Sequence, residues 1–109
     1  MGKLGEFYKR DNRKVEIETE GGKFVFHIPS GGESEEYQKM LSENGGEKIS
    51  ATRLLAIIMK LFCDEPNLRD EPLDEIHKDT QNMGIDDINR ITAEFMKAVE
   101  LWQADFFRR

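Results

Sequence analysis

Between Lys14 and Pro29 the chain alternates. Val15, Ile17 and Thr19 interleave with Glu16, Glu18 and Glu20, and Phe24, Phe26 and Ile28 interleave with Lys23, Val25 and His27. A period of two is the mark of a half-buried strand. Gly21-Gly22 separates the two runs, and glycines supply the positive φ that a tight hairpin turn needs. A two-residue loop there pairs Glu20 with Lys23, Thr19 with Phe24, Ile17 with Phe26 and Val15 with Ile28. That register puts every apolar residue except Val25 on one face. His27 falls opposite Glu16, on the polar face. Pro29 ends the second strand. A lone hairpin is marginal in water, so its apolar face is expected to rest on helices.

After Pro29 the period changes. Ser30-Gly31-Gly32 reads as a loop, and Ser34 to Glu43 as a short helix with Tyr37, Met40 and Leu41 on one side, stopped by Asn44-Gly45-Gly46. Ile49 to Cys63 is apolar nearly all round, which predicts a buried helix. Ser50 is its N-cap, and Ile49 and Leu54 are spaced as a hydrophobic staple. Leu55, Ile58 and Phe62 are expected to be fully buried. Asp64-Glu65-Pro66-Asn67 breaks this helix. Asp70 then reads as an N-cap with Pro72 in the first turn, Asp74 and Glu75 at the positive end of the dipole, and Gly84 as a stop. Leu73, Ile76 and Met83 form a thin apolar stripe. Asp86 or Asp87 caps a last, long amphipathic helix on which Ile88, Ile91, Phe95, Val99, Trp102 and Phe106 recur at spacings of three and four. The expected fold class is α+β, an N-terminal β-hairpin packed on a bundle of about four helices. Residues 1–13 are expected to be a mobile N-terminal arm, and residues 14–109 a single α+β domain.

Composition narrows the function classes. The 109 residues are 35% charged with a net charge of −6, which argues against non-specific nucleic-acid binding. The acid is concentrated: Asp64 to Asp87 holds nine carboxylates against Arg69 and Lys78. Cys63 is the single cysteine, so no internal disulfide is expected and a reducing, cytoplasmic setting fits. The N-terminus lacks an apolar signal region, Glu6 stands where a myristoylation motif has Ser or Thr, and the central helix is too short and too charged to span a bilayer. No membrane association is expected.

Sites of chemistry are sparse. An EF-hand loop opening at Asp64 fails, with Pro66 third and Arg69 sixth where an oxygen donor and glycine belong. His27, His77 and Cys63 have no zinc-site spacing, and neither glycine pair is part of a phosphate loop. Cys63, at the end of an apolar helix, reads as an inert buried thiol. No cofactor, metal or catalytic residue is expected, and an enzyme is the least favoured class because no nucleophile–base pair can be assembled. Trp102, Phe106 and Phe107 are the candidate protein-binding residues. Phe106 and Phe107 point about 100° apart on a helix, which leaves two readings. Either one packs inside and the other is ordinary surface, or the end of the helix is an exposed aromatic patch for a client or a second copy.

A charged arm, a hairpin from Val15-Glu16-Ile17 through Phe24-Val25-Phe26-His27-Ile28-Pro29, the hydrophobic helix Leu54 to Phe62, a break with prolines, a helix opening Pro72-Leu73-Asp74-Glu75-Ile76 and a final helix opening Ile85-Asp86-Asp87-Ile88 follow in order. From Lys14 onward this layout resembles the small tail assembly chaperones of long-tailed bacteriophages and related viruses. The resemblance implies a non-enzymatic protein that coats the tape measure protein until tail tube subunits polymerise around it, acts in the host cytoplasm and is absent from the finished particle. It maps no contact residue to a single position. The alternative is a small acidic intracellular regulator that binds and blocks a protein target through the Asp64 to Asp87 segment. A tape measure gene just downstream would favour the first.

Overall fold

A computed structural model describes residues 14–108, with side chains to residue 101. The arm expected over residues 1–13 lies outside the described residues. The elements follow in the order β1 (Lys14–Thr19), β2 (Gly22–His27), α1 (Gly31–Glu43), a single 3-10 turn (Gly46–Lys48), α2 (Ala51–Phe62), β3 (Cys63–Glu65), α3 (Leu73–Gln81) and α4 (Ile85–Arg108). The fold is α+β, as the patterning predicts, with an N-terminal hairpin followed by four helices.

The hairpin forms, but two residues out of the expected register. Thr19 faces Gly22, Ile17 faces Phe24 and Val15 faces Phe26, with Glu20-Gly21 as the loop. Ile17 therefore does not face Phe26. Side chains alternate with period two, so a slip of two keeps every residue on its face, and the apolar pattern cannot choose between the registers. The turn chooses. Only Gly22 of the glycine pair has positive φ, at +134°, and the Thr19 hydroxyl donates to the Gly22 carbonyl at 2.9 Å.

The sheet has a third strand that no sequence pattern announces. β3 pairs antiparallel with β2, giving the order β1-β2-β3, with a bulge between Val25 and Phe26. Three acidic-leaning residues are too few to display a period. Val25 and His27, assigned to the outer face, are both buried.

Ser30 and Glu33 extend α1 backwards over the glycines read as loop. The Ser30 hydroxyl accepts from the Glu33 N–H, and the Glu33 carboxylate accepts from the Ser30 N–H. This capping box satisfies two end donors and offsets the poor helix propensity of Gly31 and Gly32. Two other caps differ from expectation. α3 starts after Pro72 rather than Asp70 and has no side-chain cap, and Asp86 and Asp87 lie inside the first turn of α4 instead of preceding it. Acids there still meet the positive end of the helix dipole. The Ser50 cap of α2 is present, its hydroxyl accepting from the Arg53 N–H at 3.2 Å.

The core is built round α2, as its composition predicts. Leu55, Ile58 and Phe62 are buried, together with Ala56, Ile57, Met59 and Leu61. Ile17 and Phe26 from the sheet, Ile76 from α3, and Ile88, Ile91 and Phe95 from α4 complete it. Phe95 links the layers: its ring stacks on Phe62 at 5.3 Å and meets Phe26 at 5.6 Å. Aromatic pairs at such distances add about 0.5–1.5 kcal/mol each beyond their buried area.

Candidate functional site

His27 ends β2. Its Nε2 lies 2.5 Å from Glu33 Oε2 and its Nδ1 lies 2.9 Å from Asp64 Oδ1. The ring meets Phe62 edge-on at 5.9 Å and is only 2% exposed. This overturns the reading of His27 as a residue of the polar, outer face. The alternation does place it away from Phe26. Two elements invisible in that alternation then cover it: α1, begun early by its capping box, brings Glu33, and β3 brings Asp64.

A neutral imidazole has one N–H, so two carboxylate contacts are both hydrogen bonds only when the ring is doubly protonated or a carboxyl carries the second proton. Burial tends to raise the Glu33 pKa. The hydrogen bond to His27, the Ser30 N–H and the nearby ring together outweigh burial and hold this carboxyl below the usual range. Histidine–carboxylate pairs serve acid–base catalysis when one nitrogen meets a substrate. Here both nitrogens are engaged and the ring is buried, so the cluster fastens β2, α1 and β3 together.

A second polar network joins α2 to α3. Arg53 donates to Asp74 Oδ1 at 2.8 Å, to His77 Nδ1 at 3.2 Å and to Asn44 Oδ1 at 2.8 and 3.0 Å. A guanidinium only donates, so Nδ1 of His77 accepts and Nε2 faces the Thr52 hydroxyl at 3.0 Å as donor. Hydrogen bonding to Arg53, then its charge, holds the Asp74 carboxyl below the usual range. The buried Thr80 hydroxyl lies 3.0 Å from the Thr52 carbonyl and 2.8 Å from that of His77, within donating reach of both. The network ties α2 to α3, and Asp70, Glu71, Glu75, Asp79 and Asp86 of the acidic segment are exposed. Cys63 is 3% exposed, and burial, with a smaller push from Asp64 and Glu65, raises its thiol to about 12. A thiol so placed is a weak nucleophile. No group among the described residues is arranged to hold a metal ion, and no helix among them is long and apolar enough to cross a membrane.

The predicted binding residues fall on the end of α4. This helix runs 24 residues, about 36 Å at 1.5 Å per residue. Among its residues with described side chains the last buried one is Phe95, and the half-buried Val99 still packs on the core. The helix continues to Arg108, and Leu101 is 58% exposed. Trp102, Phe106 and Phe107 lie within this last stretch, and their side chains are outside the described residues. By register Trp102 and Phe106 continue the stripe of Ile88, Ile91, Phe95 and Val99, whereas Phe107 falls away from it. Sequence reasoning missed Glu33 and Asp64 as partners of His27. Ser30-Gly31-Gly32-Glu33 carries the capping-box spacing that marks the first; nothing local marks the second, which is 37 residues away. The chain matches no family model, no curated protein and no solved structure.

Proposed function

We propose that the chain is a non-enzymatic protein-binding protein that works as a viral tail assembly chaperone, covering a tape measure protein in the host cytoplasm during tail assembly. The observation that supports this reading is the reach of α4. The helix runs to Arg108, beyond Val99, the last residue on it that packs on the core among those with described side chains, and its apolar stripe runs on in sequence through Trp102 and Phe106. An amphipathic helix with a stripe of this kind suits a long apolar helical client, which is read by anchors at i, i+3, i+4 and i+7. Aromatic anchors commonly dominate such interfaces, at about 2 kcal/mol or more each. Co-expression with a candidate tape measure fragment and co-purification tests it. Trp102→Ala and Phe107→Ser should each lose the fragment while keeping the wild-type urea midpoint. Capture equal to wild type by both variants overturns the proposal.

The exposed carboxylates of α3 and its flanks favour a second reading, an acidic regulator of a basic target. It predicts the opposite pattern: capture that survives Phe107→Ser and falls steeply with salt.

A further inference from the structure

Helix α1 stops on a chemically labile pair. Asn44 is its C-cap, and Gly45 follows with a φ of +113°. Each residue suits its place. The Asn44 Nδ2 donates to the Met40 carbonyl at 2.7 Å and satisfies a helix-end acceptor, and positive φ favours glycine at the next position. The same two choices create the one Asn-Gly step of the sequence, since every other asparagine precedes Arg, Leu or Met. An asparagine before glycine can lose its side-chain amide without an enzyme, because glycine has no side chain to shield the attacking nitrogen. Gly45 is exposed, so water and hydroxide reach it.

We propose that Asn44 is a site of spontaneous deamidation and that Arg53, by holding its side chain, gates the reaction. In the first step the Gly45 nitrogen gives its proton to hydroxide or water and bonds to Asn44 Cγ. The Cγ–Nδ2 bond breaks, and Nδ2 leaves as ammonia with a proton from water. Water then opens the succinimide. Opening at Cγ gives aspartate, and opening at the main-chain carbonyl gives isoaspartate. The folded structure opposes ring closure. A five-membered ring needs Cβ and the Gly45 nitrogen nearly eclipsed about the Cα–C bond, and the ψ of 24° at Asn44 turns that nitrogen away. Rotating ψ would swing a backbone that is fixed by the Lys48 N–H on the Gly45 carbonyl at 3.0 Å and the Ile49 N–H on the Gly46 carbonyl at 3.2 Å. The side chain is held at both ends as well. Its Oδ1 accepts from Arg53 Nε at 3.0 Å and Nη2 at 2.8 Å, and Arg53 is anchored to Asp74 on α3 at 2.8 Å. Donors on Oδ1 polarise the carbonyl, but only a nitrogen within reach of Cγ can profit. Closure therefore waits on a local opening of the α1 end. Either product loses the donor to the Met40 carbonyl and puts a carboxylate at the negative end of the α1 dipole, so conversion leaves this helix end frayed.

Peptide mapping by mass spectrometry after incubation at mildly alkaline pH tests the site and its gate. In guanidinium chloride Asn44 should convert faster than any other asparagine. In the folded wild type its rate should be at least about a hundredfold lower. Arg53→Ala should speed the folded rate about tenfold and leave the unfolded rate unchanged. Ile58→Ala weakens the core without touching the α1 end, and should leave the folded rate near that of the wild type. If circular dichroism shows that Arg53→Ala does not fold, Arg53→Lys, which keeps the charge but cannot place two donors on Oδ1 in the same way, should raise the rate in the same direction. Absence of conversion at Asn44 in guanidinium chloride, or equal folded and unfolded rates, overturns the proposal. So does a folded Arg53 variant that matches the wild type, or an Ile58→Ala rate as high as that of the Arg53 variant, which would route the reaction through global unfolding.

Discussion

His27→Gln removes the joint between β2, α1 and β3. Glutamine is close in size and keeps one donating group, so the change isolates the second hydrogen bond and the ring's contact with Phe62. Removing the partner of a buried carboxylate costs up to about 3–5 kcal/mol, because its charge is left uncompensated. That range needs a discount. The Asp64 side chain is 26% exposed and water can rehydrate it, whereas Glu33 at 13% keeps the Ser30 N–H. The remaining amide can still donate to one carboxylate, and a charge-assisted bond is worth about 1.5–3 kcal/mol. The expected loss is about 2–4 kcal/mol, a large part of the about 5–15 kcal/mol that holds a domain of this kind together. Urea titration at neutral pH, followed by tryptophan fluorescence and circular dichroism, measures it directly. Glu33→Gln and Asp64→Asn should each cost less than His27→Gln, and each should couple to it in a double-mutant cycle. A loss below about 0.5 kcal/mol for His27→Gln, with additive double variants, would refute the fastening role.

Acid should weaken the same joint. The folded-state pKa of Glu33 lies below its ordinary 4.5, so its ionised form stabilises the fold above that value, and the contribution is lost as pH falls through the folded-state pKa. Urea midpoints from about pH 6 to pH 3 should fall for the wild type and fall less for Glu33→Gln; parallel curves would contradict this. Ile58→Ala, at a fully buried site on α2, should cost about 2–5 kcal/mol by lost transfer energy and a cavity, and a loss under about 0.5 kcal/mol would remove α2 from the centre of the core. Gly22→Ala should cost about 1–2 kcal/mol because its φ of +134° disfavours a side chain. Gly21→Ala should stay within about 0.5 kcal/mol, since an added Cβ meets only ordinary contact, 3.7 Å from the Thr19 hydroxyl; equal costs would restore the expected Gly21-Gly22 loop.

Local order was legible because it is written in periods. The alternation from Val15 to Ile28 and the three-four recurrence from Ile88 onward each repeat often enough to name an element and its buried face. The composition of α2 alone marked it as the centre, since residues such as Leu55, Ile57 and Ile58 leave little polar surface beyond Arg53 and Lys60. What the sequence left undecided were choices between states that share one pattern. The two hairpin registers place the same residues on the same faces, and only the backbone at Gly22 separates them. His27 sits at an outward position in either register. Its burial depends on Glu33, carried in by a helix that starts three residues earlier than its apolar residues suggest, and on Asp64, carried in by a strand of three residues. Such contacts have no sequence period, because the groups that make them are brought together only after β2, α1 and β3 have packed.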